Sequence, residues 1–325
     1  MRNPLIHLAL IAFLPACLSE LPQPSKIDKL RVLAVAADRP EVLPGETIEL
    51  TALVVGEAAE DISYDWRACL LPEQGRGFFS GGSESGASGG HSYSLESVGT
   101  CHGLAEFDPE AVIDLGTGPS ATLTLPEDLL SDEVIGEVYG LGAADLPEIV
   151  LLALRMVAGV NFTVSLRVKS GDEVVNAFKR INISLSPEPN ANPTNAAFTL
   201  REGEEVYAGP EEGTPATPGS CLLEPLELGK GVFSLHPLNV PDPPVAYEVI
   251  AGTTDPEKPF DLIETEETLY FSFFSTHGSF SRNITKSQGP SEVVWRFEDA
   301  PTGTVPLWIV VRDGRGGTTW CHSLL

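Results

Sequence analysis

Five cysteines are the residues of this sequence with the most definite chemistry: Cys17, Cys69, Cys101, Cys221 and Cys321. A thiolate can bind zinc, exchange electrons in a C-x-x-C pair or form a disulfide. No two of the five form C-x-x-C, and none belongs to a His/Cys cluster with metal-ligand spacing, so zinc binding and thioredoxin-like chemistry are disfavoured. Disulfide formation requires an oxidising compartment, so the question becomes whether the chain is exported.

The N-terminal residues are typical of an export signal. Met1-Arg2-Asn3 supplies a positive charge, and an apolar stretch follows from Leu5 to Leu14, interrupted only by His7. A helix that spans a bilayer needs ~20 apolar residues, so this stretch is too short to be a membrane span. It has the length of the apolar core of a secretory signal peptide.

The end of this stretch, Leu14-Pro15-Ala16-Cys17, resembles a bacterial lipobox. In that family the signal peptide is removed before the cysteine, whose thiol and new amino group are acylated. The resemblance implies a signal peptide over residues 1–16, lipidation of Cys17 and a polar tether over residues 17–26. Each buried CH₂ contributes ~0.8 kcal/mol, so two or three acyl chains hold a protein on a membrane. The alternative is a secreted protein cut at an Ala-x-Ala-like site, but none precedes residue 20.

Lipidation of Cys17 also explains the odd number of cysteines, since five minus one leaves four. Four cysteines allow three pairings, and two of the four lie in each half of the chain. We therefore predict the disulfides Cys69–Cys101 and Cys221–Cys321. The second closes a loop of about a hundred residues, which in the chain-entropy model stabilises a fold by ~4–5 kcal/mol.

Composition excludes one class of partner and leaves another open. The net charge is −26, with only 20 lysines and arginines, so the chain lacks the clustered positive charge that nucleic acids require. The acidic residues are scattered, which favours a soluble, self-repelling surface. A calcium-binding acidic surface is the alternative. The sequence contains no P-loop, dinucleotide fingerprint or H-E-x-x-H motif, so we predict no cofactor, no metal site and no catalytic residue.

One motif keeps an enzyme hypothesis open. Residues 86–90 match G-x-S-x-G around Ser88, and His91 follows. That motif works on a sharp turn between a strand and a helix, whereas here it lies in a run of glycines and serines. A hydrolase whose site is built from the insertions is the alternative function. His91 and His102 flank Cys101, but their spacing is irregular for a metal site, and we predict that both lie in a solvated loop.

Strand patterns dominate the first half of the chain. Residues 47–55 alternate between apolar and polar side chains, and residues 162–185 form two such runs around the turn 170–172. Residues 62–71 predict another strand, with Trp66 as a core aromatic. This order is typical of an antiparallel sandwich. Two insertions interrupt it: a flexible Gly/Ser-rich loop over residues 72–100, and residues 127–160, which predict one or two short helices.

The stretch 186–195 predicts the boundary between two domains, because its prolines and asparagines cannot join an apolar core. Beyond it, residues 268–280 predict a central strand and residues 304–325 a final hairpin around the turn 313–317. Asp313 opens this turn. It is either a calcium ligand or a residue that tolerates tight turn geometry, and the turn role is favoured.

Three stretches carry a resemblance to a known family. Residues 30–55 resemble the start of bacterial Ig-like domains of the PKD and cadherin-like type, and residues 307–320 resemble their closing strands, with the turn D-G-x-G-G. Residues 178–193 resemble the junction in Gram-negative envelope lipoproteins with two such domains. The resemblance implies an all-β chain of two tandem Ig-like antiparallel β-sandwiches, the first with the Gly/Ser-rich loop and the short helical insertion.

The domain division that this resemblance implies is residues 27–187 for the first Ig-like domain, 188–195 for the linker and 196–325 for the second. The implied function is a lipid-anchored protein of the cell envelope with a non-catalytic binding or structural role. Its expected partners are the membrane, through Cys17, and an envelope protein or glycan, and nucleic acid is not expected. By resemblance to the common enteric sorting rule for lipoproteins, Leu18 after the cysteine favours the outer membrane over the inner one.

Overall fold

The computed structural model describes residues 24–56, 62–70, 100–139, 147–193, 198–203, 205–207, 220–221, 228–238, 240–242, 244–255 and 258–325. Over this part of the chain, strands arranged in two β-sandwiches account for most of the regular structure, and helices are few and short. The prediction of an all-β fold with tandem sandwiches is therefore confirmed. The predicted signal peptide, Cys17 and most of the Gly/Ser-rich loop lie outside the described residues.

Strands β1 to β8 build the first sandwich from two sheets, with orders β1-β3-β6 and β2-β8-β7-β4-β5. The pairings are antiparallel, apart from the short parallel pair of β2 and β8. The strands are β1 Arg31–Ala37, β2 Glu41–Val42, β3 Thr47–Val55, β4 Ile62–Cys69, β5 Val112–Gly116, β6 Ser120–Thr124, β7 Val160–Ser170 and β8 Glu173–Ile183.

The core of the first sandwich comes from alternating side chains on the inner faces of its sheets. Trp66 is completely buried, as predicted, and its indole N–H donates to the Gly118 carbonyl at 2.9 Å. Val164 and Ile183 lie on the same sheet as Trp66, on β7 and β8, and are also completely buried in this core. The predicted run over residues 162–185 extends too far at its end: alternation would place Leu185 on the inner face with Ile183, but its side chain is 40% exposed because β8 ends at Ile183.

A short helix, α1 (Cys101–Phe107), begins at one of the paired cysteines. Cys69 at the end of β4 and Cys101 lie 5.6 Å apart between Cα atoms, within the range of a disulfide. The prediction that His102 lies in a solvated loop is wrong. The pairing draws α1 onto β4, so that His102 is 4% exposed, with Nε2 3.2 Å from the Asp65 carbonyl oxygen. Burial lowers the pKa of His102, and the charge of Asp65 partly opposes this.

The predicted helical insertion is present. It consists of α2 (Asp132–Tyr139), α3 (Glu148–Ala153) and a π-helical segment (Leu154–Ala158) that leads into β7. Ile135 and Leu154 are completely buried against the core of the first sandwich, so the insertion covers one end of that core.

Strands β9 to β19 build the second sandwich and one separate hairpin. The sandwich sheets have orders β10-β9-β11-β17-β15 and β16-β14-β18-β19, so β14 is a central strand, as predicted. The strands are β9 Phe198–Glu202, β10 Glu205–Tyr207, β11 Gly231–Pro237, β12 Ala246–Asp255, β13 Lys258–Glu266, β14 Tyr270–Ser275, β15 Ser279–Phe280, β16 Ile284–Lys286, β17 Val293–Phe297, β18 Pro306–Arg312 and β19 Thr318–Leu324.

Aromatic side chains fill the core of the second sandwich. Phe198, Phe273 and Trp295 are completely buried, and the rings of Phe198 and Phe273 meet edge to face, with centroids 5.9 Å apart. Cys221 and Cys321 lie beside this core with Cα atoms 4.9 Å apart, so the second predicted pair is also at disulfide distance. The bridge attaches β19, the final strand, to a segment one hundred residues earlier.

The hairpin of β12 and β13 leaves the second sandwich and contacts the first. Ile250 on β12 is 3% exposed and belongs to the apolar core of the first sandwich. The hairpin packs next to the π-helical segment that precedes β7. Within the described residues, every helix is too short or too polar to cross a bilayer.

Candidate functional site

The two sandwiches meet in an apolar contact at the edge of strand β1. Leu307, Ile309 and Val311 of β18 point into the core of the second sandwich, so Trp308 and Val310 point outward. Val310 is nevertheless completely buried. The covering residues come from the first sandwich and the segment before it; they include Ile27, Leu33, Ala34 and Val55. Strand β18 is thus buried on both faces, which fixes the face on which the sandwiches meet.

A polar contact continues this interface at the turn after β18. Asp313 is 2% exposed, and its Oδ1 accepts hydrogen bonds from the backbone N–H groups of Arg315 at 2.7 Å and Gly317 at 2.8 Å. These bonds close the turn, as predicted for a turn residue. Oδ2 accepts a third bond from Asn190 Nδ2 at 2.7 Å. Asp313 therefore joins its own turn to the segment between the sandwiches.

Lys179 reaches the same turn from the first sandwich. Its side chain extends from β8, and Nζ donates to the Gly316 carbonyl and, at 3.0 Å, to the Thr318 hydroxyl. Burial lowers the pKa of Lys179 to about 8, although the charge of Asp313 acts in the opposite direction. The ammonium group is held by two neutral acceptors and by the field of one buried carboxylate.

The segment between the sandwiches is held by its asparagines. Asn190 is 8% exposed, and its backbone N–H donates to Glu41 Oε2 at 2.6 Å. Asn192 Nδ2 donates to the Asp38 carbonyl at 2.9 Å in the first sandwich. Asn192 Oδ1 accepts from the Thr318 N–H at 2.9 Å in the second sandwich. The described part of the predicted linker therefore bridges both sandwiches.

Glu41 is the second buried carboxylate of this junction. It is 6% exposed and accepts from Ser184 Oγ at 2.6 Å and Asn182 Nδ2 at 2.9 Å, in addition to Asn190. A buried carboxylate with three short hydrogen bonds is well satisfied, and removing one donor leaves a polar atom without compensation for its lost hydration. Glu41 thus fixes the end of β8 and the start of the bridging segment.

Two clefts of about 620 and 730 Å³ flank this network. The residues that line both are Glu41, Val157, Tyr247, Glu248 and Arg315. The Arg315 guanidinium lies 4.3 Å from the centre of the Tyr247 ring, with carboxylate oxygens of Glu41 and Glu267 at 3.7 and 3.8 Å. Burial and the charge of Asp313 raise the pKa of Glu267, which Arg315 partly opposes.

The charged groups of this arrangement join different segments of the chain. The carboxylates of Asp313 and Glu41 and the ammonium of Lys179 are buried and hydrogen-bonded to groups that belong to different segments. Across the described ranges, the His, Cys, Asp and Glu side chains form no group of three or more that could hold a metal ion. Ser88 and His91 of the G-x-S-x-G motif lie outside the described residues.

Sequence reasoning singled out Asp313 in this site but not Lys179, Glu41 or Asn190. The indication was present in another form: the three stretches that resemble the Ig-like family, residues 30–55, 178–193 and 307–320, are the stretches that supply the network.

Comparisons with known proteins add little to this geometry. A scan against models of protein families gives no match, and neither does a search of curated proteins. Among solved structures, the D00-D0 domain of Intimin aligns at 9% identity and a TM-score of 0.20, over 91% of this chain and 98% of that one. The three N-terminal domains of the bacteriophage RB49 highly immunogenic outer capsid protein align at 10% identity and a TM-score of 0.19, over 91% and 97%. The D0-D1 domain of Intimin aligns at 10% identity and a TM-score of 0.17, over 90% of this chain and 99% of that one.

Gly317→Ala tests the packing of the Asp313 turn. A Cβ at this position would collide with the Asp313 carboxylate and lie 2.9 Å from the Ala191 carbonyl oxygen. Such overpacking costs ~1–3 kcal/mol, so we expect the free energy of unfolding to fall by that amount in urea denaturation. Gly229→Ala is the matched control, because no described atom lies within 4 Å of its Cβ. Equal stability of the two variants would contradict the role of the turn.

The pKa of Lys179 predicts a pH dependence of stability. The folded state lowers this pKa from 10.5 to about 8. Between these values the unfolded state binds more protons than the folded state, so the contribution of Lys179 to the free energy of unfolding rises with pH. The difference, 10.5 − 8 = 2.5 pH units, corresponds to about 3 kcal/mol at ~1.4 kcal/mol per unit.

Urea denaturation across this pH window, with Lys179→Met as the variant, measures the effect. From the lower to the upper end of the window, the free energy of unfolding of the wild type should rise by about 3 kcal/mol relative to that of Lys179→Met. Lys169→Met removes an exposed lysine on the neighbouring strand and should show no such divergence. A constant difference between wild type and Lys179→Met would show that Lys179 is not held in this environment.

Proposed function

We propose that this chain is a lipid-anchored protein of the bacterial cell envelope, in which two joined Ig-like sandwiches serve a binding or structural role without catalysis. The export signal and the lipobox-like residues that end at Cys17 support the anchor. Leu18 supports the outer membrane as its location. Among its partners we place the membrane, through the lipid, and an envelope protein or glycan.

The observation that carries this proposal is the docking of the segment next to the anchor. Ser25 and Ile27 flank an isolated parallel bridge between Lys26 and Ser275, at the end of β14. The Ile27 N–H donates to the Ser275 carbonyl at 2.9 Å, and the Ser275 N–H donates to the Ser25 carbonyl at 3.0 Å. Ile27 is 5% exposed and belongs to the apolar contact between the sandwiches. The N-terminal segment therefore enters the structure at the junction.

This entry point limits how far the junction can lie from a membrane. Seven residues lie between Cys17 and Ser25, so eight Cα–Cα steps connect the two. A fully extended chain covers at most ~3.6 Å per step, so the Ser25 Cα would lie within about 29 Å of the Cα of a lipidated Cys17. The sandwiches would be held near the bilayer by a short connection at their shared seam, which suits a scaffold or a binding platform of fixed geometry.

Mass spectrometry of the mature protein, expressed with its full N-terminus in a Gram-negative host, tests the anchor. We expect an N-terminal Cys17 that carries acyl chains, and a membrane fraction that loses the protein in Cys17→Ser. Ser19→Ala changes a neighbouring residue without removing a thiol, so it should stay with the membrane. A free N-terminus at another residue, or Cys17→Ser protein that still fractionates with membranes, would contradict the proposal.

A further inference from the structure

A third, smaller groove lies on the seam between the sandwiches, and its walls come from three parts of the chain. Its volume is about 260 Å³. This suits a single ring-sized group and is below the ~300–1,000 Å³ of pockets for drug-sized ligands. The lining residues are Ala36, Ala37, Asp38, Glu49 and Thr51 of the first sandwich, Asn192 of the bridging segment, and Thr318, Thr319 and Trp320 of the second sandwich.

Several polar groups of the groove are already used by the fold. Asn192 is bonded on both sides of the seam, and the Thr318 hydroxyl accepts from Lys179. Asp38 Oδ1 accepts from the backbone N–H groups of Arg39 at 3.0 Å and Glu49 at 2.9 Å. The Arg39 guanidinium lies 3.9 Å from Asp38 Oδ2, which offsets part of the charge of this carboxylate. These groups shape the groove and do not need a ligand.

Other groups of the groove remain available. Glu49 and Thr51 lie on the exposed face of β3. Among the described residues, neither side chain makes a hydrogen bond or ion pair, and the same holds for the Thr319 hydroxyl and the Trp320 indole N–H. Trp320 is half-buried, because it also packs against the apolar contact between the sandwiches. The groove thus presents one aromatic side chain, one free carboxylate and two free hydroxyls.

We propose that this groove binds one sugar ring of a glycan, which deepens the proposed binding role by naming the ligand class. A sugar ring has an apolar C–H face that packs on an aromatic side chain, and hydroxyls that need both donors and acceptors at its edge. Trp320 provides the aromatic surface, Glu49 accepts from hydroxyls, and Thr51 and Thr319 both donate and accept. An organic cation is the competing ligand, since cations also bind near aromatic rings and carboxylates. The sugar is favoured because Asp38 is compensated and two neutral hydroxyls line the groove.

The position of the groove couples sugar binding to the junction. Glu49 and Thr51 belong to the first sandwich, and Thr319 and Trp320 to the second. Asn192 and Lys179 bond across the seam beside the groove, and the apolar contact around Val310 also joins its two sides. A bound sugar would therefore stabilise the docked arrangement by mass action.

Intrinsic tryptophan fluorescence of the full protein in detergent measures binding, with maltotetraose, tetra-N-acetylchitotetraose and choline chloride as probes. Trp66 and Trp295 are completely buried, and Trp308 is stacked on His322, so a sugar at the groove acts on Trp320. We expect a saturable change in fluorescence with at least one oligosaccharide. Trp320→Phe, which lacks the indole at the groove, should show no such change. Glu49→Gln and Thr51→Ala should each weaken binding about 3- to 10-fold, the effect of losing one hydrogen bond.

Matched controls keep this test specific. Thr122→Ala removes an exposed hydroxyl opposite Glu49 in the register of β3 and β6, outside the groove, and Glu298→Gln removes an exposed carboxylate on the second sandwich. Both should bind as wild type. No saturable response to either oligosaccharide, a response to choline alone, or unchanged affinity in Glu49→Gln and Thr51→Ala would overturn the proposal. Acylation of Cys17 is measured separately by mass, so loss of the sugar site leaves the anchor proposal standing.

Discussion

The relation between the two sandwiches depends on the buried carboxylate of Asp313. One of its oxygens closes the turn between the last two strands, and the other accepts a hydrogen bond from Asn190 in the bridging segment. Lys179 of the first sandwich donates to the same turn. A carboxylate removed from water is stable only when such bonds replace its hydration. The turn, the bridging segment and the first sandwich must therefore be in place together, and the loss of any one leaves a buried charge without its partners.

The apolar contact stabilises the junction in which these buried charges lie. Val310 on the outer face of β18 is covered by residues around β1, and Arg312 at the end of the same strand donates to the Leu33 carbonyl at 2.8 Å. Burial of apolar surface supplies stabilisation without direction, whereas the hydrogen bonds of Asp313, Glu41 and Asn192 select one arrangement. The junction combines both, so the sandwiches form a single body near the point where the N-terminal segment enters.

The sequence allowed the strand framework to be predicted because that framework follows from local patterns. Trp66, the β7–β8 hairpin, the central strand β14 and the final hairpin all show alternation or turn chemistry within a few residues. The two cysteine pairs lie at disulfide distance for a related reason, since each half of the chain folds mainly on itself. Residues 127–160 carried the composition of short helices and form them.

The junction could not be predicted in the same way, because it joins residues far apart in sequence. Alternation along β8 places Lys179 on the same face as the buried Ile181 and Ile183, but it does not give the partners of the ammonium group. Asn190 lies in a stretch whose composition is typical of a solvated connection. His102 is a similar case: its burial follows from the pairing of Cys69 with Cys101, which places α1 on β4. Tertiary contacts decide the environment of such polar residues, and local patterns in a single sequence do not predict those contacts.

Hydrogen exchange at the Asn190 backbone amide, followed by NMR, tests this account most directly. This N–H donates to the buried carboxylate of Glu41 at 2.6 Å, inside the segment that joins the sandwiches. If the junction holds the two sandwiches as one body, the amide exchanges as slowly as those of the neighbouring strands β7 and β8, and Gly317→Ala accelerates it. Exchange at the rate of an unprotected amide, while β7 and β8 stay protected, would show that the segment is a free connection and would contradict the account.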